Sequence, residues 1–191
     1  MFTKKIRYFL LIESIKDIDL KNIKIRNKFS IIYRNNNKID NLNDLSKFRR
    51  KCRLKSIKFY VANNHNLAFS LNSDGIYLSS FNKNLNVLSF KKKANFEIIG
   101  SAHNFREITF KKKQGCSFIL LSKLFTVDYD KKAPCLGVIK FNNFAKISKN
   151  LIPLGGIKSE NLNNLKNVFC KGFAILSEIK KKPANIINRL F

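Results

Sequence analysis

The sequence predicts an α/β protein folded as a compact (β/α)8 TIM barrel, with residues 1–191 forming a single domain. Three observations carry that expectation. Short apolar runs alternate with polar, helix-like segments along the whole chain, the pattern of a parallel sheet wrapped in helices. Eight such runs can be distinguished. The 191 residues, 45% of them hydrophobic and 18 of them Phe, suffice for one sizeable core and are too few for two. A barrel of this length is stripped down, since ~250 residues is typical. A flavodoxin-like open sheet, which needs only about five or six strands, is the alternative.

In chain order, strands are expected at Arg7–Glu13, Phe29–Arg34, Ile57–Asn63, Gly75–Ser79, Phe96–Ser101, Ser117–Leu121, Leu151–Leu154 and Gly172–Leu176. Helical segments fall between them at Leu42–Lys51, Leu67–Leu71, Leu85–Lys93, Phe105–Gln114, Phe141–Lys149 and Leu162–Phe169, with a last one near Ala184–Leu190. The stretch from Ser14 to Lys28 holds a degraded or short helix. The opening MFTKKIRYFLLIESIKD sets positive residues before an apolar run, as a signal peptide does. That run is only Tyr8 to Ile12 and lacks a small-residue cleavage site, so a first strand is expected instead. No apolar stretch approaches the ~20 residues that span a bilayer. A cytoplasmic protein without a membrane partner is expected.

The net charge of +26 points towards nucleic acid, an anionic surface or phosphorylated ligands. Only 8 of the 38 basic residues are Arg, the side chain whose planar fork suits bases and phosphates. Lys, Asn, Ile and Phe also share A/T-rich codons, so part of the bias reflects base composition, and a dedicated nucleic-acid binder is not favoured. Lys91–Lys93 and Lys111–Lys113 close helices just before a strand and are expected to be solvated, complementing helix C-termini. Lys180–Lys182 follow the last strand and would raise the potential of a nearby anion site. Cys52, Cys116, Cys135 and Cys170 are widely spaced with no C-x-x-C pair, which favours buried free thiols over a zinc site or disulfides.

Chemistry in such a barrel sits where strands end. Those ends carry Arg34, Asn63–Asn64, Ser79–Asn82, Ser101–Asn104, Ser122–Lys123, Gly155–Gly156 and Ser177. In LIPLGGIKSE an apolar run ends in Gly-Gly and passes into a helix start. In KGFAILSEI a neighbouring run ends at Ser177. Glycine lets the backbone approach an anion, and a helix start offers N–H groups to it. The pair suits the phosphate of a small molecule, although Gly-Gly is also an ordinary tight turn. The loop TVDYDKK (126–132) could close over it with Lys131 or Lys132. His103 has a catalytic reading and a capping one; beside Asn104, a good N-cap, the structural reading is favoured, and His65 is read as structural too. No carboxylates converge at strand ends, which disfavours a hydrolase built on paired acids or several metals.

The order of these motifs resembles thiamine-phosphate synthases. NLAFSLNSDGIYLSS is similar to the family's d-L-A-x-x-x-x-A-D-G-V-H-L-G, and EIIGSAHN to i-i-G-x-S-x-H. GCSFILLSKLFTVDYDKK is similar to G-A-D-Y-i-x-x-G-P-x-F-x-T-x-T-K, LIPLGGI to v-x-A-i-G-G-I, and KGFAILSEI to G-V-A-x-x-S-a-I. The resemblance implies a (β/α)8 enzyme that uses Mg²⁺ to bind a pyrimidine methyl diphosphate. Pyrophosphate leaves, and the nitrogen of a thiazole phosphate attacks the resulting carbocation. Carried over by position, Gly155, Gly156 and Ser177 would hold the thiazole-derived phosphate, with Ser101 and Lys123 on the same rim. Arg34 would match the Arg of the family's Q-x-R-x-K strand, and Lys131 (or Lys132) the Lys after the sixth strand. This chain departs from the pattern at Ile32 and Asn36, which replace that Gln and Lys. The two Mg²⁺-binding aspartates align with Asn63 and Asn82, and losing two negative charges weakens a hard-cation site. The sister branch, the thiazole tautomerases, shares the barrel and phosphate site; its catalytic His would fall at about Lys123.

Overall fold

Strands covered on both faces need a near-continuous apolar run rather than alternation, as in YFLLI, GIYL and FILL. A computed structural model describes residues 6–23, 27–35, 40–92, 95–128, 130, 132–176 and 178–179, with only the backbone at 91–92. Its strands are β1 (Tyr8–Ile12), β2 (Phe29–Tyr33), β3 (Lys58–Ala62), β4 (Gly75–Leu78), β5 (Glu97–Ala102), β6 (Phe118–Leu121), β7 (Leu151–Pro153) and β8 (Ala174–Ile175). Every residue of β2, β4, β7 and β8 is buried. All pair in parallel, in the order β7-β6-β5-β4-β3-β2-β1-β8. A bridge between Leu154 and Ala174 joins the two ends, so the sheet nearly closes into a barrel. The unreversed order has no switch point, which excludes the flavodoxin-like alternative.

The crossovers explain how the barrel stays small. Four are α-helices: α1 (Leu42–Leu54), α2 (His65–Ser70), α3 (Phe105–Lys113) and α4 (Gly137–Ile147). Asn41, Asn64 and Asn104 cap the first three, each side chain accepting from a first-turn N–H. The α4 helix starts four residues earlier than expected because Leu136 and Gly137 donate back to the carbonyls of Lys123 and Leu124, anchoring its entry. Elsewhere the chain uses 3-10 segments, at Ile15–Asp17, Leu20–Asn22, Asn86–Lys92 and Ser159–Asn167. The last reads SENLNNLKN, where Ser and Asn compete for backbone hydrogen bonds and weaken an α-helix. The expected helix at Ala184–Leu190 lies outside the described residues.

Two apolar layers result. One lies between strands and helices; the other fills the barrel with Phe9, Leu11, Ile32, Tyr60, Tyr77, Ile99, Leu120 and Ile152. The floor is charged. Glu97 accepts from Arg7 at 2.8 Å, from Lys58 at 2.9 Å and from the buried Tyr60 hydroxyl. Arg7 also lies 5.1 Å over the Phe118 ring. At the opposite end the inward positions become polar two residues beyond the apolar layer. Tyr77 is followed by Ser79, Ile99 by Ser101, and Leu120 by Ser122.

Candidate functional site

That polar mouth is the wall of a pocket. Arg34, Tyr77, Ser79, Ser101, His103, Ser122, Lys123, Gly155, Gly156, Ile157 and Leu176 line it. Five expected site residues (Arg34, Ser101, Lys123, Gly155 and Gly156) therefore meet at one place. Lys131 and Ser177, like Asn36 and Lys180–Lys182, lie outside the described residues. Arg34 enters directly from β2, its backbone N–H donating to Ile12 O at 2.8 Å. The fully buried Tyr77 has a phenol raised by burial, partly offset by its hydrogen bond with Ser101 and the nearby Arg34 charge.

The Gly-Gly turn is shaped for close approach. Gly155 has φ +92 and Gly156 φ +67, the left-handed region where a Cβ is costly. A Cβ on Gly156 would stand 2.5 Å from the carbonyl oxygens of Phe125 and Thr126. The turn is pinned to the loop after β6 through Leu124 N–H to Leu154 O (2.8 Å) and Phe125 N–H to Gly155 O (3.0 Å). Asn161 braces its far side, donating to Gly156 O at 2.7 Å.

The loop after β6 carries two aspartates, and each meets a lysine flanking that turn. Asp130 accepts from Lys123 at 3.1 Å, and Asp128 pairs with Lys158. The hydrogen bond to Asp128 raises the pKa of Lys158. Lys158 directly follows the Gly155–Gly156–Ile157 turn, and sequence reasoning left it without a role. The ammonium groups of Lys123 and Lys158 are thus each paired with a carboxylate of that loop.

His103 serves the helix cap and also reaches the pocket wall. Asn104 does cap α3, accepting from Glu107 N–H at 2.9 Å, and Glu107 accepts from His103 N–H. The imidazole is turned the other way, with Nδ1 3.0 Å from Ser122 Oγ on the pocket wall. Its place just after a strand end was the available signal.

Asn63 and Asn82 come together, as the resemblance implies, but they are occupied with each other. Asn63 Oδ1 accepts from Ser79 N–H (3.1 Å), Ser79 Oγ (3.0 Å) and Asn82 Nδ2 (3.2 Å). Asn82 Oδ1 accepts from Asn84 N–H at 3.0 Å. Both amide oxygens are satisfied within the chain. Among the described residues no group of three or more His, Cys, Asp or Glu could hold a metal. Lys111, expected to be solvated, is instead fully buried, its ammonium 2.8 Å from Asn82 O and 2.7 Å from Ser79 O. Helical side chains lean towards the helix N-terminus, which carries this one up to the mouth. Neutral, self-satisfied amides beside an ammonium do not fit Mg²⁺, which wants carboxylates and water.

A family model described as thiamine monophosphate synthase matches residues 7–179. The thiamine-phosphate synthase of Prochlorococcus marinus (strain AS9601) is 29% identical over 175 residues, 88% of this chain and 48% of that protein. The chain thus spans about half the length of that relative. The thiamine-phosphate synthase of Flavobacterium psychrophilum is 28% identical over 155 residues, covering 74% of this chain and 73% of that one. Among solved structures, a thiamine phosphate pyrophosphorylase from Pyrococcus furiosus superposes with a TM-score of 0.72 at 14% identity, covering 97% and 95% of the two chains. A 3-keto-L-gulonate-6-phosphate decarboxylase from Vibrio cholerae has a TM-score of 0.63 at 13% identity, covering 98% of each. At these identities the solved structures speak for the fold alone. Among the described residues no helix is long and apolar enough to cross a membrane.

Proposed function

Because the chain belongs to the thiamine monophosphate synthase family, we propose that it is a cytoplasmic transferase that joins a pyrimidine methyl diphosphate to a thiazole phosphate. The bond from the pyrimidine methylene carbon to the diphosphate oxygen breaks, pyrophosphate leaves with the electron pair, and the thiazole nitrogen then forms a bond to the carbocation left behind. In this reading the Gly155–Gly156 turn holds the thiazole-derived phosphate, and Ser177 joins it there. Arg34, Ser101 and Lys123 face the same cavity, where Arg34 and Lys123 neutralise phosphoryl charge, aided by Lys131. The single observation that carries the reading is the left-handed Gly-Gly turn opening onto a pocket with Arg34 and Lys123 on its walls.

A second reading is favoured by the closed Asn63–Ser79–Asn82 cluster. It keeps the phosphate site and drops the transfer, leaving a binder of thiazole phosphate or thiamine phosphate, non-catalytic or tautomerase-like. Incubating the purified protein with both precursors separates the two. Thiamine phosphate formed in proportion to protein supports the transferase. Tight thiazole phosphate binding with no product at high protein concentration supports the binder.

A further inference from the structure

Lys111 stands two residues before the end of α3, and none of its surface reaches solvent. Its stem crosses the outer face of β5 at Gly100. A Cβ there would come 2.8 Å from Lys111 Cδ and 2.8 Å from Cys116 Sγ, so glycine keeps the channel open. The ammonium donates to Ser79 O (2.7 Å), Asn82 O (2.8 Å) and Gln114 Oε1 (2.9 Å). Gln114, also fully buried, donates onward to Asn82 O (3.2 Å) and Asn84 O (2.7 Å). These partners are all neutral oxygens. Two carbonyls of the loop after β4 and the Gln114 amide oxygen thus hold the ammonium in the way oxygen ligands hold a metal ion. Burial lowers the Lys111 pKa to about 8, with Lys83 acting in the same sense and Cys116 and Glu107 opposing it, which leaves it mainly charged at neutral pH.

We propose that Lys111 is a built-in cation that replaces a divalent metal in positioning the loop after β4, so that the mouth of the barrel binds phosphoryl groups without Mg²⁺. Three features support it together. The amide oxygens of Asn63 and Asn82 are taken up internally. The ammonium is bonded to the backbone of Asn82 itself. A glycine on the adjacent strand provides the channel for the stem. Lys111 is a positioning residue, since it faces the loop from outside the barrel and does not line the pocket.

The proposal deepens the reading of the site given above and rests on it for the ligand class. Its test uses inorganic pyrophosphate, so that the two can fail separately. Wild-type protein is titrated calorimetrically with pyrophosphate in Mg²⁺ and in EDTA, and hydrogen exchange is followed at residues 79–84. The expected result is equal pyrophosphate affinity and equal loop protection in both buffers. In Lys111→Met the loop amides exchange about 10- to 100-fold faster, as loss of hydrogen bonds from a charged group implies, and Mg²⁺ does not restore them. Pyrophosphate affinity lower by about tenfold or more in EDTA would overturn the proposal. So would absence of pyrophosphate binding in both buffers, or unchanged exchange in Lys111→Met. If that variant does not fold, the wild-type comparison still decides. Mg²⁺-independent pyrophosphate binding without thiazole phosphate binding would sink the transferase reading and leave this one standing.

Discussion

Adding one methyl group at Gly156 should damage both stability and phosphate binding, and the structure supplies its own control. At φ +67 a non-glycine residue costs about 1–2 kcal/mol. The new Cβ would stand 2.5 Å from two backbone oxygens, so the loop after β6 must move, at a further cost of about 1–3 kcal/mol. Together these give about 2–5 kcal/mol, or a fall in Tm of about 4–20 °C for a chain of this size. Gly137 has the same φ of +67 but nothing within 4 Å of its Cβ. Gly137→Ala therefore carries only the conformational part, and it lies away from the pocket. Scanning fluorimetry and calorimetric titration with thiazole phosphate should show Gly156→Ala less stable than Gly137→Ala and at least tenfold weaker in binding, a loss of about 1.4 kcal/mol. If the two variants match each other in both Tm and affinity, the assignment of this turn is wrong.

Other outcomes follow from the same geometry. Burial alone would raise the Glu97 carboxyl, but the hydrogen bonds from Arg7, Tyr60 and Lys58 outweigh it and hold its pKa below the ordinary value of 4.5. Its contribution is therefore present above about pH 4.5 and lost as pH falls through the lower folded value. Urea unfolding should show Glu97→Gln about 1–3 kcal/mol less stable near neutrality, with the gap closing in acid. Asp130→Asn removes a carboxylate that competes for Lys123, and calorimetry at low salt should show phosphate-ligand affinity rising by up to about fivefold. Burial pushes the Cys52 thiol up to about 12, against a smaller opposing effect of Arg49, whereas Cys135 is exposed. A thiol reagent should therefore label Cys135 rapidly in the native protein and leave Cys52 unlabelled until unfolding.

The strands were legible because burial on both faces forces a near-continuous apolar run, which survives in YFLLI and FILL without any knowledge of partners. The mouth was legible for a related reason: the residue after such a run has to sit at a barrel end. Helix type was less readable. SENLNNLKN keeps helical spacing, but its Asn side chains favour local bonds and the segment forms 3-10 turns. Lys111 was hidden in a run of three lysines. Only its place three residues after the buried Ile108 distinguishes it, and that spacing means little until Gly100 is seen opposite. His103 is hard to read from sequence because one residue can serve two neighbours, its backbone bonding Glu107 while its ring faces Ser122.

A crystal structure of the protein with thiazole phosphate bound would show whether the Gly155–Gly156 turn is the phosphate site. The phosphate group should lie at the Gly155–Gly156 turn, within hydrogen-bonding distance of backbone N–H groups there, with the thiazole ring directed towards Arg34 and Ser101. A phosphate bound elsewhere on the barrel, or a mouth that remains empty at saturating ligand, would contradict it.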